Sequence, residues 1–180
     1  TNAAKEPEII DLGNFLQSMG AKISGLGTDE ISVIGVSKLC GSEYSVMADR
    51  IEAGTFILLV LGCSGSLKLT NLDERVIDNY IEIFKIFKEL SLEKISDNKL
   101  LITCNSKNYR GSDVKTNPYP GFPTDLQAQL SAVMTKARGS STIEETIFEN
   151  RFMHVAELNR MGAKMDIEGS MVKTEGQKKI

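Results

Sequence analysis

The chain has 180 residues, of which 41% are apolar and 25% are charged, and a formal net charge of −3 at pH 7. This composition is typical of a globular protein and argues against a nucleic-acid partner, because the only basic cluster is the short tail Lys178-Lys179. No apolar run approaches the roughly 20 residues of a membrane-spanning helix, so we expect no membrane partner.

The first residues and the cysteines indicate the compartment. Residues 1–7 lack a basic start followed by an apolar core, so we expect no secretory signal peptide. The absence of an initial Met predicts a piece of a longer chain. Cys40, Cys63 and Cys104 are odd in number and lack metal-ligand spacing, which favours reduced, cytoplasmic thiols with packing roles.

The first third of the chain predicts a helix, a hairpin, a short strand and a second helix. The first helix begins at Pro7 and ends before Gly20, and its apolar residues recur at helical spacing: Ile9, Leu12, Phe15, Leu16 and Met19. A β-hairpin is predicted over 21–34 and a strand over 39–46. Asp49-Arg-Ile-Glu52 resembles a capping box ahead of an apolar helix that ends at Gly62.

The rest of the chain repeats this alternation of helices and hairpins. The predicted elements are a strand at 67–69, an amphipathic helix at 74–90, a hairpin of 93–96 and 99–103, a helix at 124–137, a strand at 142–144, a helix at 150–161, and a hairpin of 163–167 and 171–175. In the helix at 150–161 we expect Phe152, Val155, Leu158 and Met161 to face inward.

Three of these helix-to-hairpin junctions are similar in sequence. They start at residues 16, 87 and 158, two intervals of 71 residues, and Gly20, Ser91 and Gly162 occupy the same place in them. This period is too long for a solenoid repeat and indicates a duplicated βαβαββ unit. Such units bury their apolar helix faces by packing helices beneath sheets.

A proline-rich loop is the best candidate for a site. Three of the four prolines, Pro118, Pro120 and Pro123, stiffen the segment that leads into Asp125 at a predicted helix start. Thr124-Asp-Leu-Gln127 fits a capping box, so Asp125 is interpreted first as part of a helix cap. A carboxylate in this position can also accept a proton or a hydrogen bond from a substrate hydroxyl, and the two roles are compatible.

A second polar and aromatic segment covers 146–154. Arg151 could bind a phosphate or a carboxylate, or pair with Glu149 or Glu157 on its own helix, which is the favoured interpretation. His154 is the only histidine and is predicted to be a structural, hydrogen-bonded residue. No serine nucleophile, phosphate loop or nicotinamide fingerprint is present, so we expect no cofactor and no metal.

Two long runs, at 113–129 and 145–155, resemble the enolpyruvyl transferase family, and within it the UDP-N-acetylglucosamine 1-carboxyvinyltransferases of peptidoglycan synthesis. Residues 2–8, residues 49–55 and the Met-Gly-Ala-Lys turns agree with that family in order and spacing, whereas residues 67–104 agree less well. The resemblance implies an α/β fold, an inside-out α/β barrel (prism) built from repeated βαβαββ units. It assigns residues 1–47 to the end of one domain and 48–180 to a partial second domain, with the site in the cleft between domains.

The resemblance also implies site residues. Asp125 matches the aspartate that contacts the sugar 3-hydroxyl and takes its proton as that oxygen attacks phosphoenolpyruvate. Ile147 matches a position that binds the sugar nucleotide through its main chain, and Thr124 and Phe148 line the same pocket. Arg151 belongs to the same motif and is counted with the substrate-binding residues. The implied substrates are UDP-N-acetylglucosamine and phosphoenolpyruvate.

Several parts of the family's site have no counterpart in this sequence. They are a Lys-Asn pair, the arginines that clamp phosphoenolpyruvate, and a loop cysteine. Because the reaction requires cations that face the phosphate and carboxylate of the donor, we expect the isolated chain to be inactive and the remainder of the polypeptide to complete the site. Two alternatives stay open: the shikimate-pathway enolpyruvyl transferase, and a non-catalytic binding or scaffold module in which Asp125 is only a cap.

Overall fold

The computed structural model describes residues 1–177, so the basic tail Lys178-Lys179 lies outside the described residues. The elements follow the chain in the order α1 (Pro7–Ser18), β1 (Lys22–Ser24), β2 (Ser32–Ile34), α2 (Arg50–Cys63), β3 (Gly65–Thr70), α3 (Glu74–Phe84), β4 (Leu90–Ser96), β5 (Lys99–Cys104), β6 (Val114–Lys115), a 3-10 turn (Thr124–Leu126), α4 (Gln127–Met134), β7 (Ser140–Glu144), α5 (Met153–Arg160), β8 (Lys164–Glu168) and β9 (Met171–Glu175). None of the helices within residues 1–177 is long and apolar enough to cross a membrane.

The strands form three sheets. β1 and β2 pair as an antiparallel hairpin, and β3, β5 and β4 form an antiparallel sheet in that order. The third sheet has the order β6-β7-β9-β8, in which β6 runs parallel to β7 and the other neighbours are antiparallel. The elements from β6 to β9 therefore make one complete βαβαββ unit, and those from α2 to β5 make the same unit without its first strand.

The buried core joins these two units. Its largest fully buried side chains come from α2, α3, α4, the 3-10 turn, the second sheet and the adjoining loops, and include Ile57, Leu61, Tyr80, Phe84, Leu100, Ile102, Leu126 and Leu130. A Cβ atom at Gly54 would lie 2.4 Å from Leu126 Cδ1, so glycine lets the 3-10 turn approach α2 closely. This contact fixes the position of the turn that carries Asp125.

Several predicted boundaries are wrong for physical reasons. Residues 39–46 form no strand, because no other strand within residues 1–177 pairs with them. The helix predicted over 74–90 ends at Phe84, and two tight turns, with Phe87 N donating to Phe84 O and Leu90 N to Phe87 O, keep the helix-like spacing of buried residues beyond it. The helix predicted over 124–137 is a 3-10 turn followed by α4.

The last predicted helix is also shorter than expected. It begins at Met153 instead of residue 150, and Asn150, with φ 56°, lies outside helical geometry. Met161, expected to face inward, follows the end of the helix and is 68% exposed. In α1, Leu12 was expected on the inner stripe but is 53% exposed.

The repeat is confirmed in element order but not at every aligned position. Gly20 and Gly162 follow α1 and α5 with φ of 102° and 103°, a left-handed conformation that favours glycine. Ser91, aligned with them by sequence, lies inside β4 instead, because α3 ends earlier than the other two helices. Of the three cysteines, only Cys104 is buried, so the packing role predicted for Cys40 and Cys63 is wrong.

Candidate functional site

A pocket of about 380 Å³ lies between the start of the chain and the proline-rich loop. Its walls come from residues 4–9, 117–125 and 147–148, together with Arg50 at the start of α2. Four of the five predicted site residues, Thr124, Asp125, Ile147 and Phe148, line this pocket. Segments that are far apart in the sequence therefore meet at one pocket.

The proline-rich loop is fixed at both ends and in the middle. Asn117 N donates to Phe122 O at 2.9 Å, and Gly121 N donates to Pro118 O at 2.8 Å. The Phe122 ring is buried and lies 6.0 Å from the ring of Phe84 on α3. This anchor orients the chain that continues through Pro123 to Thr124.

Asp125 lies on the 3-10 turn at the edge of the pocket. Its side chain is 50% exposed, and its Oδ1 atom accepts a hydrogen bond from Arg151 Nη2 at 2.7 Å. The predicted capping box is wrong, since no side chain caps the 3-10 turn or α4. The Thr124 hydroxyl that would have capped the helix donates to Glu145 instead.

Arg151 binds across the site instead of along its own helix. Nη1 donates to Thr124 Oγ1 at 2.7 Å, and the guanidinium carbon lies 5.2 Å from the centre of the Phe148 ring. The favoured pairing with Glu149 or Glu157 is wrong, because Arg151 lies before α5 and does not share its helical spacing. Arg151 therefore belongs with the other predicted site residues.

Glu145 is a site component that the sequence reasoning missed. It follows β7 directly and continues that strand's alternation of buried residues, Ser141 and Ile143, which is the signal that could have revealed it. Burial raises the pKa of Glu145, but hydrogen bonds from the Thr124 hydroxyl and from the amides of Ile147 and Phe148 lower it, and the net pKa shift is downward. Glu145 is therefore a buried, ionised carboxylate.

The opposite wall of the pocket contains a second ion pair that was also missed. Arg50 is only 7% exposed, and its Nε atom donates to Glu8 Oε1 at 2.8 Å and Oε2 at 2.9 Å. Burial lowers the pKa of Arg50 and the Glu8 carboxylate raises it, with a net upward pKa shift. Glu6 Oε2, in the same wall, is buried and has no hydrogen-bond partner among the described residues.

His154 does not behave as predicted. Its Nε2 atom is buried and has no hydrogen-bond partner within residues 1–177, so the expected hydrogen-bonded histidine is wrong at that atom. Burial lowers the pKa of His154, which favours a neutral ring. Across residues 1–177, no group of three or more His, Cys, Asp or Glu side chains could hold a metal ion.

Known proteins match the whole chain. The family model described as EPSP synthase (3-phosphoshikimate 1-carboxyvinyltransferase) matches residues 1–180. The chain is similar to the UDP-N-acetylglucosamine 1-carboxyvinyltransferase of Thermodesulfovibrio yellowstonii, at 50% identity over 99% of this chain and 42% of that protein. It is also similar to UDP-N-acetylglucosamine 1-carboxyvinyltransferase 1 of Caldanaerobacter subterraneus, at 49% identity over 93% and 40%. The chain thus spans about two fifths of the length of the curated relatives it matches.

Solved structures give the same result for the fold. The enolpyruvyl transferase NikO from Streptomyces tendae matches with a TM-score of 0.73 at 20% identity, over 92% of this chain and 39% of that chain. EPSP synthase from Acinetobacter baumannii matches with a TM-score of 0.65 at 19% identity, over 93% and 40%. The predicted enolpyruvyl transferase-like α/β fold, present in part, is confirmed. Because the family model matches all 180 residues of this chain, the chain belongs to the EPSP synthase family.

Proposed function

We propose that this chain is part of a transferase that moves the enolpyruvyl group of phosphoenolpyruvate to the 3-hydroxyl of UDP-N-acetylglucosamine and releases phosphate, the first committed step of peptidoglycan biosynthesis in the cytoplasm. The observation that carries the proposal is the meeting of Thr124, Asp125, Ile147 and Phe148 at one pocket. The names of the relatives at 49–50% identity support the sugar nucleotide as acceptor.

Asp125 has the geometry of a proton acceptor. Arg151 donates to Oδ1, whereas Oδ2 accepts no hydrogen bond from the described residues and is left for a ligand. In the proposed reaction, the 3-hydroxyl oxygen bonds to the phosphate-bearing carbon of phosphoenolpyruvate, its proton passes to Asp125, and phosphate leaves. The half-exposed carboxylate at the pocket edge suits this role.

Ile147 would contact the sugar nucleotide through its carbonyl group. Its amide already donates to Glu145 Oε1 at 2.8 Å, so the amide is not available to a ligand. No donor among residues 1–177 binds the Ile147 carbonyl oxygen. We therefore expect an N–H or O–H group of the sugar nucleotide to donate to that oxygen.

We further propose that residues 1–47 end one domain, that residues 48–180 belong to a second, and that the remainder of the polypeptide supplies the donor-binding cations. Arg50 in the pocket wall pairs with Glu8, and Arg151, which contacts the lining residues, pairs with Asp125. Neither is free to bind the phosphate and carboxylate of phosphoenolpyruvate unless its present pair opens. We expect no turnover from the isolated 180 residues, and detectable turnover would contradict this.

The acceptor is tested in the full-length polypeptide by phosphate release from phosphoenolpyruvate. We expect release with UDP-N-acetylglucosamine and none with shikimate 3-phosphate. The reverse result would identify the shikimate-pathway enzyme. No release with either acceptor, and no binding of either by calorimetry, would favour the non-catalytic module.

The role of Asp125 is tested by Asp125→Asn in the same polypeptide. We expect turnover to fall by several orders of magnitude, about 10²–10⁴-fold or more, because the amide cannot accept the proton. Asp166→Asn, at an exposed position of β8, is the matched control and should leave turnover unchanged. If Asp125 served only to pair with Arg151, Asp125→Asn would instead lower stability by about 1 kcal/mol or less without changing ligand affinity.

A further inference from the structure

We propose that Glu145 is the positioning residue of the candidate site, because its carboxylate ties the Thr124-Arg151-Asp125 group to the backbone at Ile147 and Phe148. This inference rests on the proposed function, since it concerns the arrangement of the same site. Glu145 itself does not line the 380 Å³ pocket, so its effect on a ligand there would pass through the residues that it holds.

The Glu145 carboxylate accepts hydrogen bonds from both segments that carry predicted site residues. Glu145 Oε1 accepts from Ile147 N at 2.8 Å and Phe148 N at 3.1 Å, and Oε2 accepts from Thr124 Oγ1 at 2.7 Å. Glu145 is 3% exposed, so water does not compete for these hydrogen bonds. Two of the segments that line the pocket, 117–125 and 147–148, are therefore joined through this carboxylate.

The charge of Glu145 also sets the direction of the hydrogen bonds. An ionised carboxylate only accepts, so the Thr124 hydroxyl must donate its proton to Glu145. Its lone pairs are then left to accept from Arg151 Nη1 at 2.7 Å, while Nη2 holds Asp125 at 2.7 Å. Glu145 thus orients Arg151, and through it Asp125, without contacting either residue.

Glu145 is itself held in place. Its amide donates to Ser170 O at 2.8 Å, which ties it to the loop between β8 and β9. The next residue, Thr146, donates from its amide to Thr116 Oγ1 at 2.9 Å and from its hydroxyl to Thr116 O at 2.6 Å. These bonds anchor the backbone on both sides of the carboxylate, as preorganisation of a site requires.

Glu145→Gln separates these roles. The amide oxygen of glutamine can still accept from the Ile147 and Phe148 amides, but its NH₂ group would then face Thr124 and donate to the hydroxyl. The Thr124 oxygen would then accept from both the glutamine NH₂ and Arg151, its own proton would lose the Glu145 acceptor, and the charge-assisted hydrogen bond that fixes the hydroxyl would be lost, so that Arg151 is held less tightly. We expect kcat for enolpyruvyl transfer to fall about 100-fold, the cost of a misplaced reacting group.

The experiment is a double-mutant cycle in the full-length polypeptide, with Glu145→Gln, Thr124→Val and both together. If Glu145 acts through the Thr124 hydroxyl, the double variant should have no lower kcat than the poorer single variant. If the two losses in kcat multiply in the double variant, Glu145 and Thr124 act independently, and the coupling is contradicted. Glu144→Gln is the matched control, because Glu144 pairs with Lys115 on the exposed side of the same strand end, and it should retain wild-type kcat.

The remaining outcomes also decide the question. An active wild type with an unimpaired Glu145→Gln variant would overturn the inference and leave the proposed function standing. An inactive full-length wild type would instead overturn the proposed function. If Glu145→Gln fails to fold by circular dichroism, Thr124→Val against Thr124→Ser replaces it: serine should retain kcat and valine should not, and equal activity of the two would contradict the inference.

Discussion

Two parts of this molecule share an element order but differ in how they bury their side chains. Residues 1–47 (α1, β1, β2) and the end of the complete βαβαββ unit (α5, β8, β9) both run helix, strand, strand, with a left-handed glycine after the helix. The apolar core extends from Ala53 to Val172, whereas only Pro7 and Gly13 are buried among residues 1–47. Val33 and Ile34 of β2 are 65% and 64% exposed, while the equivalent strand β9 buries Val172 completely.

This difference shows that the formation of these elements depends on nearby residues, whereas their burial depends on distant ones. A helix with a glycine stop and a hairpin form from nearby residues, so both parts adopt the same elements. Burial depends on what packs against those elements: α4 packs against β9, whereas no helix within residues 1–177 makes a comparable contact with β2. The exposed apolar face of residues 1–47 agrees with the proposal that they belong to another domain.

A matched pair of leucine substitutions tests this comparison with the largest expected effect. Leu130 on α4 is fully buried and Leu12 on α1 is 53% exposed. In the 180-residue chain, Leu130→Ala should lower the free energy of unfolding by about 2–5 kcal/mol, because it leaves a cavity. Leu12→Ala should lower it by less than about 1 kcal/mol. Equal losses in denaturant titrations would show that residues 1–47 have a core of their own.

The pH dependence of the stability lost in Glu145→Gln tests whether Glu145, in the well-buried part of the chain, is ionised. The pKa of Glu145 is lowered in the folded chain, so its ionised form stabilises the fold above the unfolded pKa of about 4.3, and this stabilisation is lost as the pH falls through the folded pKa. Near pH 7, Glu145→Gln should cost about 1–3 kcal/mol. The difference from wild type should shrink below about pH 4. A difference that is constant from pH 7 to pH 3 would contradict an ionised Glu145.

The smallest expected effect concerns the ion pair that connects residues 1–47 to the rest of the chain. Glu8 on α1 is half exposed and pairs with Arg50 of α2, whose side chain is 8% exposed. Glu8→Gln should cost about 1 kcal/mol, since solvent screens half of the pair, and should speed amide exchange in α1 more than in α4. Glu157→Gln, which breaks an exposed pair with Arg160, should change neither measurement. Faster exchange in α4 than in α1 would show that the pair does not join the regions.

Most of the elements could be predicted from the sequence because their signals are local. Asp49 caps α2 as predicted, accepting from the amides of Ile51 and Glu52. Ile77, Tyr80 and Phe84, which recur at helical spacing in the amphipathic helix predicted over 74–90, are buried. The end of α3 could not be predicted, because Phe87 is buried in a turn at a spacing that a helix would also give. Spacing reports which residues are buried, not the backbone that places them there.

The residues of the candidate site could be predicted only in part. The resemblance identified five residues that the structure brings together, but it could not identify their polar partners. Arg151 pairs with Asp125 and Thr124 bonds to Glu145 across 26 and 21 residues of sequence, and helical spacing predicts only contacts within a turn. Arg50 and Glu8 were missed for the same reason, since they lie 42 residues apart.

The most direct test of the central claim is a crystal structure of the full-length polypeptide with UDP-N-acetylglucosamine. We expect the sugar 3-hydroxyl to lie about 3 Å from Asp125 and the Ile147 carbonyl to accept a hydrogen bond from the ligand, with the Glu145 hydrogen bonds retained. A sugar nucleotide bound elsewhere, or bound in this pocket with its 3-hydroxyl out of reach of Asp125, would contradict it.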